Sequence, residues 1–349
     1  MGGLLSYSGI TTKVRAMESH LITDRQFGEM STLESVSDAV EYLRRLPAYG
    51  MIFSNLEGVE LHRGAIEQRL ILSQYQDFAK LYRFANLSQR KFLDLYFMHY
   101  EIDILKKCFR NALGHQKPEI DLSVFQDFFE KHSKLDLIRL SSSGSVQEFI
   151  SNLDGSIYYD LLTHLDDVEH PSLFDYEIHL DLLYFKTIWK VKGKYLSRKE
   201  QKLLTDCFGS KLDLLNIQWI YRSKKYYNLQ PADIYALLIP IEFHIRKEQI
   251  TKLVEAGTLD EFFHALQTTY YGRLEDMDSS DNTELEMLAE EVLGKIYSAT
   301  SRKNPYSIAT LNSYLYFKEE EIQKIITVIE SIRYGVSPDE ILSYVVKNQ

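Results

Sequence analysis

Cysteine is almost absent. The 349 residues contain two, Cys108 and Cys207, each alone in an apolar, helix-like context, so neither a disulfide framework nor a CxxC metal site is available. Both read as core residues. Proline (7) and glycine (16) are also few, which argues against a turn-dense β protein and leaves long helices as the natural reading. The longest apolar run in the middle of the chain, about Ile234 to Ile241, is interrupted by Pro240 and falls far short of the roughly 20 residues that a spanning helix needs. Lys13 and Arg15 are followed by no apolar stretch, so no signal peptide is expected. Basic charge is in deficit: 40 Lys and Arg stand against 50 Asp and Glu, a net charge of −10. That balance repels nucleic-acid phosphates and anionic lipid headgroups alike. A chain of this kind working at a membrane is expected to be held there by another protein, without lipid insertion.

What is present is apolar bulk and an internal repeat. Apolar residues make up 45% of the chain, enough to fill a core in two or three domains of ordinary size. The segment Ser145-Val146-Gln147-Glu148-Phe149-Ile150-Ser151-Asn152-Leu153 aligns with Thr258-Leu259-Asp260-Glu261-Phe262-Phe263-His264-Ala265-Leu266 at an offset of 113. Gly144 and Gly257 precede both, and Tyr158 meets Tyr271 at the same offset. A third copy, Asp38 to Leu46, follows the pattern at an offset of 107, with Tyr49 arriving two residues early. Each copy reads as a helix start, with Asp38, Ser145 or Thr258 as N-cap and Glu41, Glu148 or Glu261 reaching back to it.

The ends of the units repeat too. Leu215, Trp219, Tyr227, Pro231 and Ile234 map onto Ile322, Ile326, Tyr334, Pro338 and Ile341 at a constant offset of 107. Ile322, Ile325, Ile326, Ile329 and Ile332 form one stripe, with Glu319 to Glu321 placed at the positive end of their helix. Gly335 is the expected stop, and Ser337-Pro338-Asp339-Glu340 opens another helix with Ser as N-cap and Pro at N1. Ile102, Leu105, Cys108, Phe109 and Ala112 make a comparable stripe, ended by Gly114. Further helices are expected over Ile66 to Arg83, Ser88 to Leu113, Leu180 to Tyr195 and Glu284 to Thr300. The fold class is therefore all-α. Units of about 115 residues are small bundles rather than solenoid repeats, expected at 1–116, 117–240 and 241–349.

Tyr7 through Arg15-Ala16-Met17-Glu18-Ser19-His20-Leu21 resembles the opening of the C subunits of V-type ATP synthases, the family that includes the d subunits of eukaryotic vacuolar ATPases. Phe317-Lys318-Glu319-Glu320-Glu321-Ile322-Gln323-Lys324-Ile325, with Ile332-Arg333-Tyr334-Gly335-Val336-Ser337-Pro338-Asp339-Glu340-Ile341, is similar to its C-terminal signature. Asn216-Ile217 through Arg222, Lys224 and Tyr226 resembles its middle-repeat signature. The resemblance implies a funnel-like, pseudo-threefold helical fold. It also implies a non-catalytic coupling role between the central shaft of a rotary ATPase and the proteolipid ring of the membrane sector, moving H+ or Na+, on the cytoplasmic face. With 24 Tyr and 18 Phe, large rigid side chains are available to stiffen such a part.

Hidden chemistry finds little foothold. His164-Leu165-Asp166-Asp167-Val168-Glu169-His170 has ligand types at helical spacing, but no HExxH motif occurs and a solvated connection is the better reading. Asp276 to Asn282 lacks the glycine and terminal Glu of a calcium loop. Ser141 to Ser145 is no P-loop, since no GKS or GKT follows. Gly2-Gly3 with Ser6 has the spacing of a myristoylation motif, which the resemblance gives no reason to expect. Basic residues at Lys190 to Lys202 and Arg222 to Lys225 read as a solvated face or as a basic rim meeting an acidic partner. No catalytic, cofactor-binding or metal-binding residue is assigned, and partner-binding residues are left open. The reading from another class is a free-standing all-α adaptor bridging soluble proteins.

Overall fold

The structure is a computed structural model that describes residues 2–54, 61–113, 122–167, 171–274 and 284–346. All regular structure among them is helical, confirming the all-α class. The order is α1 (Gly2–Glu18), α2 (Asp24–Ser31), α3 (Val36–Arg45), α4 (Gly50–Phe53), α5 (Arg63–Phe84) and α6 (Leu87–Leu113). A 3-10 turn (Leu122–Phe125) leads into α7 (Gln126–His132), α8 (Leu137–Ser141), α9 (Val146–Ser151) and α10 (Tyr159–Asp166). Then come α11 (Leu173–Tyr195), α12 (Arg198–Lys225), α13 (Pro231–Leu237), α14 (Lys247–Glu255), α15 (Leu259–Gln267) and α16 (Glu284–Lys303). The chain closes with α17 (Ile308–Arg333) and α18 (Pro338–Val345). Two compact units result, Met1–Glu177 with Tyr314–Gln349, and Ile178–Ser313.

Local chemistry sets the boundaries of the long helices. Asn86 and Gln89 exchange bonds at the start of α6, the Gln89 amide donating to Asn86 Oδ1 (3.0 Å) and the Asn86 amide to Gln89 Oε1 (2.9 Å). Ser197 and Glu200 do the same for α12, each pair satisfying two amides that a helix start would otherwise leave unpaired. Gly335 stops α17 in a left-handed conformation, φ 71°. Its amide donates to Ile332 O (3.1 Å) and that of Val336 to Ser331 O (3.0 Å), the Schellman pattern. Asn228, at the repeat-equivalent position after α12, has φ 46°. Pro338 and Pro231 then stand in the first turns of α18 and α13, although the Ser337 hydroxyl makes no cap bond.

In the first unit the short helices α2, α3 and α4 and the C-terminal α18 share one core with α17: Phe27, Met30, Leu43, Tyr49 and Phe53 bury against Ile322, Ile325, Ile329 and Ile341. Helices α2 to α4 near the start of the sequence thus pack with α17 and α18 near its end. An aromatic core lies beside α5 and α6, where Tyr75 stacks on Phe128 (4.6 Å between centroids) and Phe78 meets Tyr100 edge-on (5.5 Å). In the second unit α12 is the central helix, packed by α13, α14, α15 and α16. Gly209 on α12 admits the ring of Phe243 so closely that a Cβ there would lie 2.5 Å from it. Cys108 and Cys207 are buried free thiols in the two units, as expected, and burial pushes each thiol up to about 12.

Candidate functional site: three tyrosine–carboxylate joints

The three tyrosines picked out by the repeat do the same job. Each is buried, and each donates its hydroxyl to a carboxylate on a long helix: Tyr49 to Glu321 Oε2 on α17 (2.6 Å), Tyr158 to Glu101 Oε2 on α6 (2.7 Å), Tyr271 to Asp213 Oδ2 on α12 (2.9 Å). The same carboxylates also hold the chain that enters the short-helix module. The Ile22 amide, just before α2, donates to Glu321 Oε1 (2.5 Å). Ser133, before α8, donates its hydroxyl to Glu101 Oε1. The amides of His244 and Ile245, before α14, donate to Asp213 Oδ2 (2.7 and 3.2 Å). One acidic side chain therefore pins two ends of a module to the long helix beneath it. Modules two and three sit on the long helix that precedes them in sequence, and module one sits on the last.

The joints differ in charge. At the first, Lys318 donates to Tyr49 Oη (2.8 Å) and to Glu321 Oε2 (2.7 Å). Its ammonium lies 4.4 Å from the Tyr49 ring centroid and 3.9 Å from Asp77 Oδ2. Asp77 accepts from Tyr314 (2.6 Å) and from Lys80 (2.9 Å). Lys318 is 1% exposed, Glu321 5% and Tyr49 0%, so a buried charge pair is fully enclosed there. Glu101 and Asp213 are held by neutral donors instead. Burial raises the Glu101 carboxyl above the ordinary range. It pushes Asp213 up to about 6, against the opposing pull of the His244 amide, the Tyr271 hydroxyl and the Ile245 amide. All three tyrosines are raised well beyond physiological pH, first by burial and then by the carboxylate each faces. They remain neutral donors.

The repeat register needs one correction. Asp38 is not the cap of the first copy: Ser35 is, accepting from the Asp38 amide (3.1 Å). Ser145 and Thr258 do cap α9 and α15, accepting from Glu148 and Glu261 amides (3.2 and 3.1 Å). The true offset between the first two copies is then 110, which sets Leu43, Leu153 and Leu266 in line, each 0% exposed. A three-residue slip keeps a helical stripe nearly in phase, which is why the wrong register looked right. Glu148 and Glu261 reach the amides of Gly144 (2.9 Å) and Gly257 (2.6 Å), one residue before the cap, while Glu41 pairs with Arg44 (3.0 Å). A second correction concerns Glu319 to Glu321. They lie in the middle of α17, not at its start, and Glu321 is the buried anchor of the first joint.

Where the other candidates fall among the described residues, local packing accounts for them. In the His164 to His170 segment, Asp166 accepts from Tyr176 Oη (2.9 Å) and Gln147 Nε2 (3.3 Å). Residues 168–170 and Asp276 to Asn282 lie outside the described residues. Among the described residues no group of three or more His, Cys, Asp or Glu is placed to hold a metal ion. Ser141 to Ser145 runs from the last turn of α8 to the cap of α9. Four residues of the two basic clusters, read as a solvated face or a basic rim, bond within the chain. Lys224 donates to the carbonyls of Val254 (2.6 Å) and Ala256 (2.7 Å), where α14 ends. Lys225 binds Tyr221 Oη (2.8 Å) and Arg222 binds Glu286 (2.7 Å). Lys192 covers the Trp189 ring at 3.0 Å and donates to Thr205 (2.8 Å), and burial brings it down to about 8.

These joints and the end-to-end helical repeat define a modular all-α protein whose buried polar groups fasten modules to long helices. Residues 10–344 match the model of the ATP synthase (C/AC39) subunit family, and the chain belongs to that family. It is 24% identical over 344 residues to the A-type ATP synthase C subunit of Pyrococcus abyssi, covering 96% of this chain and 89% of that one. It is 25% identical over 350 residues to the C subunit of the Methanosarcina barkeri A-type ATP synthase, covering 97% and 92%. To that of Thermococcus kodakarensis it is 24% identical over 350 residues, covering 97% and 90%.

Proposed function

We propose that this chain is a non-catalytic central-stalk subunit of a rotary A/V-type ATP synthase or ATPase, coupling the rotating shaft of the soluble sector to the proteolipid ring of the membrane sector. The observation that carries the reading is the end-to-end match: the family model spans 335 of the 349 residues, and the relatives, named as C subunits of A-type ATP synthases, are covered over about nine tenths of their length. A part that transmits torque needs stiffness rather than a reacting group. Three modules, each fastened by a hydroxyl and an entry segment to one buried carboxylate, supply that stiffness at three places. In this reading the repeat units are 1–116, 117–240 and 241–349, arranged as a funnel around an axis, and the protein is peripheral at the cytoplasmic face during H+ or Na+ transport. Among the described residues no helix is long and apolar enough to cross a membrane.

Reassembly tests the proposal. The soluble catalytic head bearing its shaft is mixed with membranes that carry the rotor ring, with and without the purified chain. Head recruitment and inhibitor-sensitive ATPase activity are expected only when the chain is added. Recruitment indifferent to the chain would remove the coupling role and leave an adaptor between soluble proteins.

A further inference from the structure

The net charge of −10 conceals one corner of opposite character. Residues 1–17 and 78–93 contain Lys13, Arg15, Lys80, Arg83, Arg90 and Lys91 and no acidic residue at all. The structure brings the two segments together in the first unit, where α1 packs on α5. Asn86 Nδ2 donates to Ser6 O (3.3 Å) and Ser6 Oγ (3.1 Å), and Gln89 Nε2 donates to Ser6 O (2.9 Å). The start of α1 is thereby tied to the α5–α6 corner. Lys13 Nζ stands 5.4 Å from the Phe84 ring centroid, and Arg90 lies 5.1 Å over the Tyr82 ring.

At this corner the apolar tips point outward. Leu5 is 82% exposed, Leu87 75%, Phe84 57% and Leu4 50%. Arg83 and Lys91 are exposed within about a turn of Phe84 and Leu87 in sequence, with Lys13 and Arg90 half-buried. Of the acidic groups nearest in sequence, Asp77 takes up Lys80 (2.9 Å) and Tyr314 (2.6 Å), Asp94 bonds Tyr82 and faces Arg90, and Glu18, half-buried at the far end of α1, faces Arg15. With Arg15 facing Glu18 and Arg90 facing Asp94, Lys13, Arg83 and Lys91 remain beside the outward leucines and phenylalanine, and this combination matches an anionic lipid surface, where apolar tips enter the headgroup boundary and cations meet phosphates.

We propose that the α1 start and the α5–α6 corner, through Leu4, Leu5, Phe84 and Leu87 with Arg83 and Lys91, form a seat for an anionic membrane surface. The seat rests on the coupling reading only for bringing the chain within reach of a membrane. Its test needs no other component of the complex, so its failure and the failure of that reading are separable.

The purified full chain is floated with vesicles of phosphatidylcholine alone and with vesicles enriched in phosphatidylglycerol, at low and high salt. Binding is expected to the anionic vesicles only, weakening as salt rises. Arg83→Glu with Lys91→Glu should lower the partition at least about tenfold, since each basic residue near such a surface contributes on the order of 1 kcal/mol. Leu5→Asp with Leu87→Asp should weaken it as well, and the high exposure of both positions leaves folding intact. Arg198→Glu with Lys199→Glu, exposed on the other unit, should leave most of the binding. Three results would overturn the seat: no binding to anionic vesicles, equal loss in the Arg198/Lys199 control, or salt-sensitive binding to immobilised polyglutamate that the leucine changes do not touch. The last would assign the corner to an acidic protein face.

Discussion

At the scale of single residues, the first joint holds a charge pair where burial makes an unpaired ion expensive. Removing the cation by Lys318→Met leaves Glu321 enclosed with only Tyr49 and the Ile22 amide as donors. The expected loss is about 3–5 kcal/mol of unfolding free energy, read as a shift in the urea midpoint. Tyr49→Phe, Tyr158→Phe and Tyr271→Phe each remove one hydroxyl from a buried carboxylate and should cost about 1–3 kcal/mol each; a neutral result at all three would show that the hydroxyls merely fill space. Asp213 sets a pH dependence of unusual sign. Its folded-state value of about 6 lies above the ordinary 3.8, so between those values the folded chain binds the proton and the unfolded chain does not. Stability therefore falls as pH rises through that window, by at most about 3 kcal/mol from this residue. His244, whose imidazole is lowered by burial, pulls the other way as pH drops. Comparing wild type with Asp213→Asn at pH 7 and pH 5 isolates the carboxylate: the variant should lose the gain that acidification gives the wild type.

At the scale of elements, Lys224 shows how a basic cluster can be structural. Its ammonium satisfies two carbonyls where α14 ends, so Lys224→Met should lower stability by about 1.5–3 kcal/mol. Lys225→Met, which loses an interaction with Tyr221 on its own helix, should change it little. Equal effects of the two would argue against the α14 capping role. The helices themselves were legible because their signals are local: the stripe Ile102, Leu105, Cys108, Phe109 and Ala112, the stop at Gly335 and the proline at the start of α18 all involve neighbours within two turns. Tyr49, Tyr158 and Tyr271 stood out through the repeat as well. Their partners did not, because Glu321 lies 272 residues from Tyr49, and a run of three glutamates before an isoleucine stripe reads locally as a helix start. Asp213 stands one residue ahead of the place that the offset of 113 assigns to the partner of Glu101, so it escaped the alignment. No local rule pairs a hydroxyl with an acid on another helix. That pairing is decided by packing, and only the carboxylate's burial reveals it.

At the scale of the molecule, helices α2 to α4 and the distant α18 are bound into one core, and this makes a distinct prediction about how the chain comes apart. Helix α18 lays Ile341 (1% exposed) and Val345 (3%) into the cluster that holds Phe27, Met30 and Leu43. In the second unit α13 packs in the same way on α14, so α18 stands to the first module as α13 stands to the third. A chain stopped after Val336 loses both aliphatic side chains from that core, at roughly 2–5 kcal/mol apiece. The thermal midpoint of the unit that contains them should fall by about 10 °C or more. Amide exchange can locate the damage. Protection in α2 and α3 should drop, because the face they turn to α18 is opened, whereas α12 and α16, in the other compact unit, should keep theirs. Equal loss of protection in α12 and α16 would mean that the chain unfolds as one cooperative body, and the joint at Tyr49 would then carry stability for all three modules rather than for its own.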